Sequence, residues 1–421
     1  MSQASITFLV LAVMALLFVT NLIPHYVTAL SGALALAFLG ILPMKSLFTG
    51  FSNPTLILFA GMFVIGGSMF QTGLANQVGE WAVRMVGRNE RLLLWGNMIV
   101  AAALSTVASN TGTTVALMPV VISICQAAGI PASRQLMPLA FATGFGGFSA
   151  LIGTPPNMIV TEALSAAGFR PFGFFEFAWL GVPVAFAGML YMDVVGRRIL
   201  PSSCSIIPPP EPGSRVHGNP VKMWICALIL LSVILVMTLE IPGVSLESVA
   251  VTGAVLCVLT GCLSGAQAIK SIEWETVLLF GSMFAVAMAM ETSGAARIIA
   301  RALLSILGPD AGPHMIVALP LVFTMLLGTV LSNTACAVLM APIGLYLAKE
   351  TGANPHAILM AIALAASCSF LTPVGTPPNM IVWGPGGYRF QDYMKAGIGL
   401  SLVCSVIGTL LIPVVWPVFG R

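Results

Sequence analysis

The sequence predicts an all-helical polytopic membrane protein made of two inverted repeats. Each repeat is expected to hold five transmembrane helices, one re-entrant hairpin and a broken helix at mid-depth. Three observations predict this: an apolar composition, an internal duplication, and paired helix breakers inside the most apolar stretches.

Composition comes first. Of 421 residues, 58% are hydrophobic and 7% are charged, against about 25% charged in a soluble domain. Mean hydropathy is +1.01. So few charges cannot cover a water-facing surface of this size, and apolar runs of about 18 or more residues, long enough to cross a bilayer, recur along the chain. The net charge of +3 is small and scattered, which argues against a nucleic-acid partner. The eight cysteines form no CxxC pair and read as small apolar side chains. No Lys or Arg precedes the apolar run at residues 6–23, so it is expected to be a retained first helix and not a cleaved leader.

The duplication is explicit. Ser109-Asn110-Thr111 returns as Ser332-Asn333-Thr334, an offset of 223 (333 − 110), with Pro119 and Pro342 equally spaced behind. The octet Gly153-Thr154-Pro155-Pro156-Asn157-Met158-Ile159-Val160 returns as Gly375-Thr376-Pro377-Pro378-Asn379-Met380-Ile381-Val382, an offset of 222. Co-linear matches upstream pair Gly61-Met62-Phe63 with Ser282-Met283-Phe284, and Gly73 with Gly294. The first repeat is expected over 1–200 and the second over 223–421. Between them, 201–222 is rich in Pro, Gly and Ser and reads as a cytoplasmic linker.

Taken in order, the first half is expected to form helices near 5–23, 26–43 and 55–71. An apolar stretch at 92–125, a broken segment at 136–166 and a last helix at 174–196 follow. The second half repeats these parts near 223–240, 246–264, 276–292, 313–347, 356–384 and 396–418. The stretches 92–125 and 313–347 carry an SNT triplet near the middle and are too long for one span, so each is read as a hairpin turning at the triplet. Two consecutive prolines remove two backbone donors, so 136–166 and 356–384 are expected to be interrupted helices. Non-helical backbone at that depth is tolerated only inside protein or around a cavity. Five crossings per half invert the second half. Placing both termini outside puts eleven Lys and Arg inside and six outside, in the sense of the positive-inside rule.

Inverted repeats with interruptions in matching places point to a transport site near the midplane. Segments 92–125, 136–161, 313–348 and 356–388 contain no Asp, Glu, Lys or Arg. An anion can still be held there by half-helix N-termini, by the amides of Asn110 and Asn333 and by the hydroxyls of Thr111 and Thr334. Freed carbonyls with Ser, Thr and Asn oxygens also form a neutral cage for a hard cation such as Na+. Proton coupling uses an intramembrane carboxylate or His. Asp193, Asp310 and Asp392 fall at expected segment ends, and the four His (His25, His217, His314, His356) fall at boundaries or in the linker, so sodium is favoured over protons. Glu162 and Glu291 are the acids closest to the spans and are expected near an interface. The competing bland reading makes the Ser, Thr and Asn mere interhelical hydrogen bonders and the Gly and Pro packing residues; duplication of both motifs weighs against it.

At these motifs, from about Thr28 onward, the chain resembles the divalent-anion:sodium symporter family (the solute carrier 13 type, within the ion transporter superfamily). The resemblance implies an elevator-type homodimer in the plasma (inner) membrane, with Na+ as coupling ion and di- or tricarboxylates or sulfate as substrate. By motif position, the first sodium site would use Ser105, Ser109, Asn110 and Gly153, and the second Asn333 and Gly375. Substrate would touch Asn110, Thr111, Asn333 and Thr334, with Thr376 and Pro377 close by. The family pattern SNTxT is kept at Thr113, whereas the second half has Cys336 there, and Gly328 stands where the first half has Ser105. The function expected is therefore sodium-coupled symport of a small divalent anion, without catalysis and with no metal other than sodium. The alternative is a sodium-independent exchanger or a proton-coupled permease of the same fold.

Overall fold

Asparagine and proline set many of the helix starts among the described residues. In the computed structural model, residues 2–20, 22–75, 77–78, 89–202, 219–239, 241, 243–307, 312–373 and 375–419 are described, and among them every regular element is helical. The first half forms α1 (Gln3–Thr20), α2 (His25–Phe38), α3 (Pro54–Gln71), α4 (Glu90–Ser105), α5 (Asn110–Ala128), α6 (Ser133–Phe148), α7 (Pro155–Ala166) and α8 (Ala178–Tyr191). α8 continues through a π-helical turn to Ile199. The second half forms α9 (Pro220–Thr238), α10 (Leu246–Leu259), α11 (Gly265–Ser271), α12 (Trp274–Thr292), α13 (Ala295–Leu307), α14 (Pro313–Leu327), α15 (Asn333–Thr351), α16 (Pro355–Ser367), α17 (Pro377–Gly386) and α18 (Phe390–Val415).

Asn53, Asn89, Asn219 and Asn354 cap α3, α4, α9 and α16 by accepting backbone N–H groups of the first turn. Three of these caps are followed by Pro at the first helical position, where its missing donor costs nothing. α5 and α15 stop at Gly129 and Gly352, whose φ of 68° and 67° are left-handed. The linker expected over 201–222 lies mostly outside the described residues, as do Cys204, His217 and Asp310.

Among the described residues, six spans are long and apolar enough to cross a membrane: Met44–Gln71, Asn110–Ala128, Ala178–Ile199, Pro220–Thr238, Trp274–Thr292 and Phe390–Val415. Gln3–Phe18, His25–Phe38, Leu246–Leu259, Pro313–Leu327 and Pro355–Ser367 are apolar but shorter. The helix expected to reach residue 43 ends early, because Gly40 turns the chain with φ 75°. α18 presents Phe390, Met394, Ile398, Leu402, Val406, Leu410 and Val414 outward, one every four residues, while Tyr393, Leu400, Cys404 and Ile412 are buried. An exposed apolar stripe of that length suits hydrocarbon and not water.

Packing sorts the helices into two groups. α1, α2, α3 and α9 to α12 pack among themselves through the pairs α2–α12 and α3–α10, while α13 packs chiefly on α15 and, with α12, bridges to the other group. α4 to α8 and α14 to α18 form the other group, centred on α6 and α16. Ala357 to Ser367 of α16 are all buried, the sign of a helix surrounded by protein. The halves exchange partners, since α5 packs on α17 and α15 packs on α7. Small residues set the closest approaches. A Cβ on Gly146 would lie 2.0 Å from the Ala102 carbonyl oxygen, so α6 and α4 meet backbone to backbone. Asp193, expected at a segment end, lies there in the π-helical turn and is buried at 4% exposure. Its carboxylate takes Arg91 Nη2 at 2.6 Å and faces Arg197 at 3.7 Å, which ties α8 to the start of α4. The described cysteines are all free and buried.

Gly146→Ala is expected to abolish monodisperse protein on size-exclusion chromatography in detergent. Gly384→Ala, where a Cβ meets nothing within 4 Å, should elute as the parent does.

Candidate functional site

A cavity of about 180 Å3 lies where the two helix groups face each other. On one wall stand His25 and Tyr26 of α2, Phe59, Met62 and Phe63 of α3, and Glu275, Thr276 and Leu279 of α12, with Glu273 just before it. The other wall is made by both SNT triplets, by Gly153-Thr154-Pro155 and by Gly375-Thr376-Pro377-Pro378. Of the residues singled out from sequence, Ser109, Asn110, Thr111, Gly153, Asn333, Thr334, Gly375, Thr376 and Pro377 all line this cavity. Ser105 stands behind it and donates its hydroxyl to Asn110 Oδ1 at 2.5 Å.

The triplets are helix starts. Ser109 is the N-cap of α5 and accepts the Gly112 N–H at 3.1 Å, and Ser332 caps α15 by accepting from Ala335 at 3.4 Å. Serine caps leave the next residues, Asn110-Thr111 and Asn333-Thr334, in the first turn with their amides toward the cavity end. Ser109 therefore has a structural task that sequence reading did not assign, and its side chain also meets the Glu273 carboxylate. Thr113 and Cys336, the positions where the halves differ in the SNTxT pattern, are both buried outside the cavity lining. Cys336 bonds back to the Thr324 carbonyl at 3.3 Å.

The GTPPN turns act differently from the expectation that the prolines break the helices. α6 and α16 end at Phe148 and Ser367, well before the prolines. Thr154 and Thr376 are extended, with φ −147° and −140°. Pro155-Pro156 and Pro377-Pro378 then occupy the first two positions of α7 and α17, where backbone donors have no intrahelical partner anyway. The prolines start the second half-helix; they do not end the first.

What holds the interruptions open is the last residue of the motif. Asn157 Nδ2 reaches back to the carbonyls of Ala150 at 2.8 Å and Phe148 at 3.0 Å. Asn379 Nδ2 does the same to Thr372 at 3.2 Å and Ser369 at 3.3 Å. Both asparagines are fully buried. They were visible in the duplicated octet, yet no role was assigned to them.

Four helix N-termini, those of α5, α7, α15 and α17, thus end at one cavity. The aligned peptide dipoles of each place a partial positive charge at that end; Pro155-Pro156 and Pro377-Pro378 carry no N–H, so the first-turn donors come from α5 and α15. Among the described residues, no Lys or Arg lines the cavity. The ionisable side chains there include His25, which sequence reading had left at a segment boundary, and Glu273 and Glu275, to which it assigned no place. Thr276 donates its hydroxyl to Glu273 at 3.3 Å. Glu162 and Glu291 face a second cavity of about 170 Å3 between α7, α12 and α15, and Glu162 accepts the Thr55 hydroxyl at 2.8 Å across the two helix groups.

A family model described as citrate transporter matches residues 15–343 and 310–419. The chain is 24% identical to the uncharacterized transporter YfbS of Escherichia coli, in an alignment covering 97% of this chain and 98% of that protein. It is 26% identical to the sodium-dependent dicarboxylate transporter SdcS of Staphylococcus saprophyticus, over 96% of this chain and 84% of that one. In three dimensions it is similar to the YdaH transporter of Alcanivorax borkumensis, with a TM-score of 0.63 over 90% of this chain and 87% of that one. At 18% identity that likeness is one of fold alone.

Asn157→Ala would leave the Phe148 carbonyl without its donor, at about 1–3 kcal/mol, and the Ala150 carbonyl with only the Gly153 N–H at 3.3 Å. Its melting temperature in detergent is expected to fall further than that of Asn379→Ala, whose bonds are longer.

Proposed function

This chain belongs to the citrate transporter family, and on that premise we propose that it is a sodium-coupled symporter of a small divalent anion. It is a transporter and an integral membrane protein, not an enzyme. The proposed substrate is a di- or tricarboxylate such as succinate, or sulfate, carried by an elevator movement of one helix group against the other. The observation that carries this reading is the meeting of four helix N-termini at a cavity with no Lys or Arg among its described lining residues. Such ends attract an anion without offering a fixed counter-charge that would hold it permanently.

Substrate would lie between Asn110-Thr111 and Asn333-Thr334, with Thr376 and Pro377 beside it. The donor set also fits a hard cation. Asn333 Oδ1 is buried with no hydrogen-bond partner, an orphan acceptor that ordinarily costs about 1–3 kcal/mol. Freed carbonyls at the interruptions are of the type that coordinates Na+ in broken-helix transporters. Ser105, Ser109, Asn110 and Gly153 would hold one sodium, and Asn333 and Gly375 a second. Bound sodium supplies positive charge beside the anion and couples uptake to the ion gradient. SdcS is named for sodium-dependent dicarboxylate transport, which supports this choice.

Two inverted repeats over 1–200 and 223–421, each with a re-entrant hairpin at its SNT triplet, account for the exchanged packing of α5 on α17 and α15 on α7. We place the chain as a homodimer in the plasma (inner) membrane, termini outside and the 201–222 linker in the cytoplasm. One observation favours a second reading. His25, Glu273 and Glu275 on the cavity wall are groups that a proton-coupled permease of this fold would use.

Uptake of labelled succinate and of labelled sulfate into proteoliposomes separates the readings. Accumulation should require an inward Na+ gradient and be lost in Asn110→Ala and Asn333→Ala, both of which should still purify as folded protein. Uptake driven by a pH gradient in choline would replace sodium with protons, and uptake driven only by trapped anion would make the chain an exchanger.

A further inference from the structure

The two halves carry the same hydroxyl on opposite partners. In the first half it belongs to the arm before the triplet, as Ser105, and bonds Asn110 Oδ1. The facing residue, in the last turn of α6, is Gly147, and it has no room for a side chain. A Cβ there would lie 2.4 Å from Asn110 Oδ1 and 2.9 Å from the Gly153 carbonyl oxygen.

In the second half the matching positions are Gly328 (105 + 223) and Ser369 (147 + 222). The arm has lost its side chain and the interrupted stretch has gained one. A Cβ on Gly328 would sit 2.8 Å from Ser369 Oγ, so the serine side chain occupies the space that a residue at 328 would need. A Cβ on Gly375 would meet Ser369 Cβ at 2.9 Å and the Gly328 carbonyl oxygen at 3.2 Å. Gly328, Ser369 and Gly375 therefore converge, as Ser105, Gly147 and Gly153 do in the other half. Ser369 is 4% exposed, and its hydroxyl makes only a long bond of 3.4 Å to the Ala366 carbonyl. Asn333 Oδ1, whose counterpart takes the Ser105 hydroxyl, is buried without a donor.

We propose that Ser369 supplies the hydroxyl oxygen of the second cation site, replacing the one that Gly328 lacks, alongside Asn333 Oδ1 and the backbone carbonyls of Gly328 and Gly375. The inference rests on the sodium-coupled reading above and deepens it. A neutral oxygen set of this kind takes a hard monovalent ion, Na+. The loss of a side chain at 328 therefore leaves the site complete.

The test reads binding, not transport. Purified protein in detergent is melted over a series of NaCl concentrations at constant ionic strength in choline chloride. Ser105→Ala, Ser369→Ala, Ser369→Thr and the double exchange Gly328→Ser with Ser369→Gly are run beside the parent. The parent should be stabilised by Na+. Ser369→Ala should need about tenfold more Na+ for the same effect, Ser369→Thr should stay near the parent, and the double exchange should restore the response. If Ser369→Ala does not fold, the double exchange carries the test, since a folded double variant with a weakened Na+ response overturns the proposal. A parent-like Na+ response in Ser369→Ala, with Ser105→Ala impaired, would leave the sodium reading standing and remove Ser369 from the site. A parent that ignores Na+ would overturn both.

Discussion

The whole arrangement depends on where the polar backbone goes when a helix is interrupted inside an apolar protein. An unpaired carbonyl in such surroundings is costly, so an interruption persists only if side chains take over the lost bonds. Here that work falls to Asn157 and Asn379, each fully buried and each reaching back across six or more residues to carbonyls of the preceding stretch. With those bonds made, the chain between α6 and α7 and between α16 and α17 can remain extended. The freed groups that are left over face the cavity, where a ligand can use them.

The second determinant is exchange between the halves. Neither SNT-headed helix packs mainly against the interrupted helix of its own half's second piece; α5 meets α17 and α15 meets α7. Four N-termini are thereby brought to one place from both halves. Backbone approach at Gly146 against Ala102 and at Gly397 against the Phe370 carbonyl removes slack from the same helix group. The facing group contributes aromatic and thioether side chains, Phe59, Phe63 and Met62, together with the acidic pair Glu273 and Glu275. One wall thus offers oriented dipoles and the other offers apolar bulk with titratable groups.

Much of this was legible in the sequence because the duplication prints each functional element twice. The SNT and GTPPN residues that line the cavity were found from the offset of 222 to 223 residues alone. Helix ends were less legible. Sequence reading took Pro155-Pro156 as the break, whereas the break precedes them, because a proline pair is as comfortable beginning a helix as it is disruptive inside one. His25, Glu273 and Glu275 were missed for a different reason. Each sits at an end of its own segment, and only the packing of α2 and α12 against the other group turns those ends toward the cavity. Asp193 was placed at its segment end, but its buried pairing with Arg91 was missed, since that is a contact over 102 residues of chain. No local pattern announces such a contact.

The mutual exclusion of side chains at 328 and 369 has a historical consequence. The gap that the two positions share has room for one hydroxyl, because a Cβ on Gly328 would come within 2.8 Å of Ser369 Oγ. The first half places that hydroxyl at 105 and leaves 147 bare. If both halves descend from one duplicated ancestor, single substitutions between these arrangements pass through either two serines, which collide, or two glycines, which leave the gap without a hydroxyl. The two positions are therefore epistatic, and their residues should change together among descendants of this chain, while each looks freely variable when inspected alone.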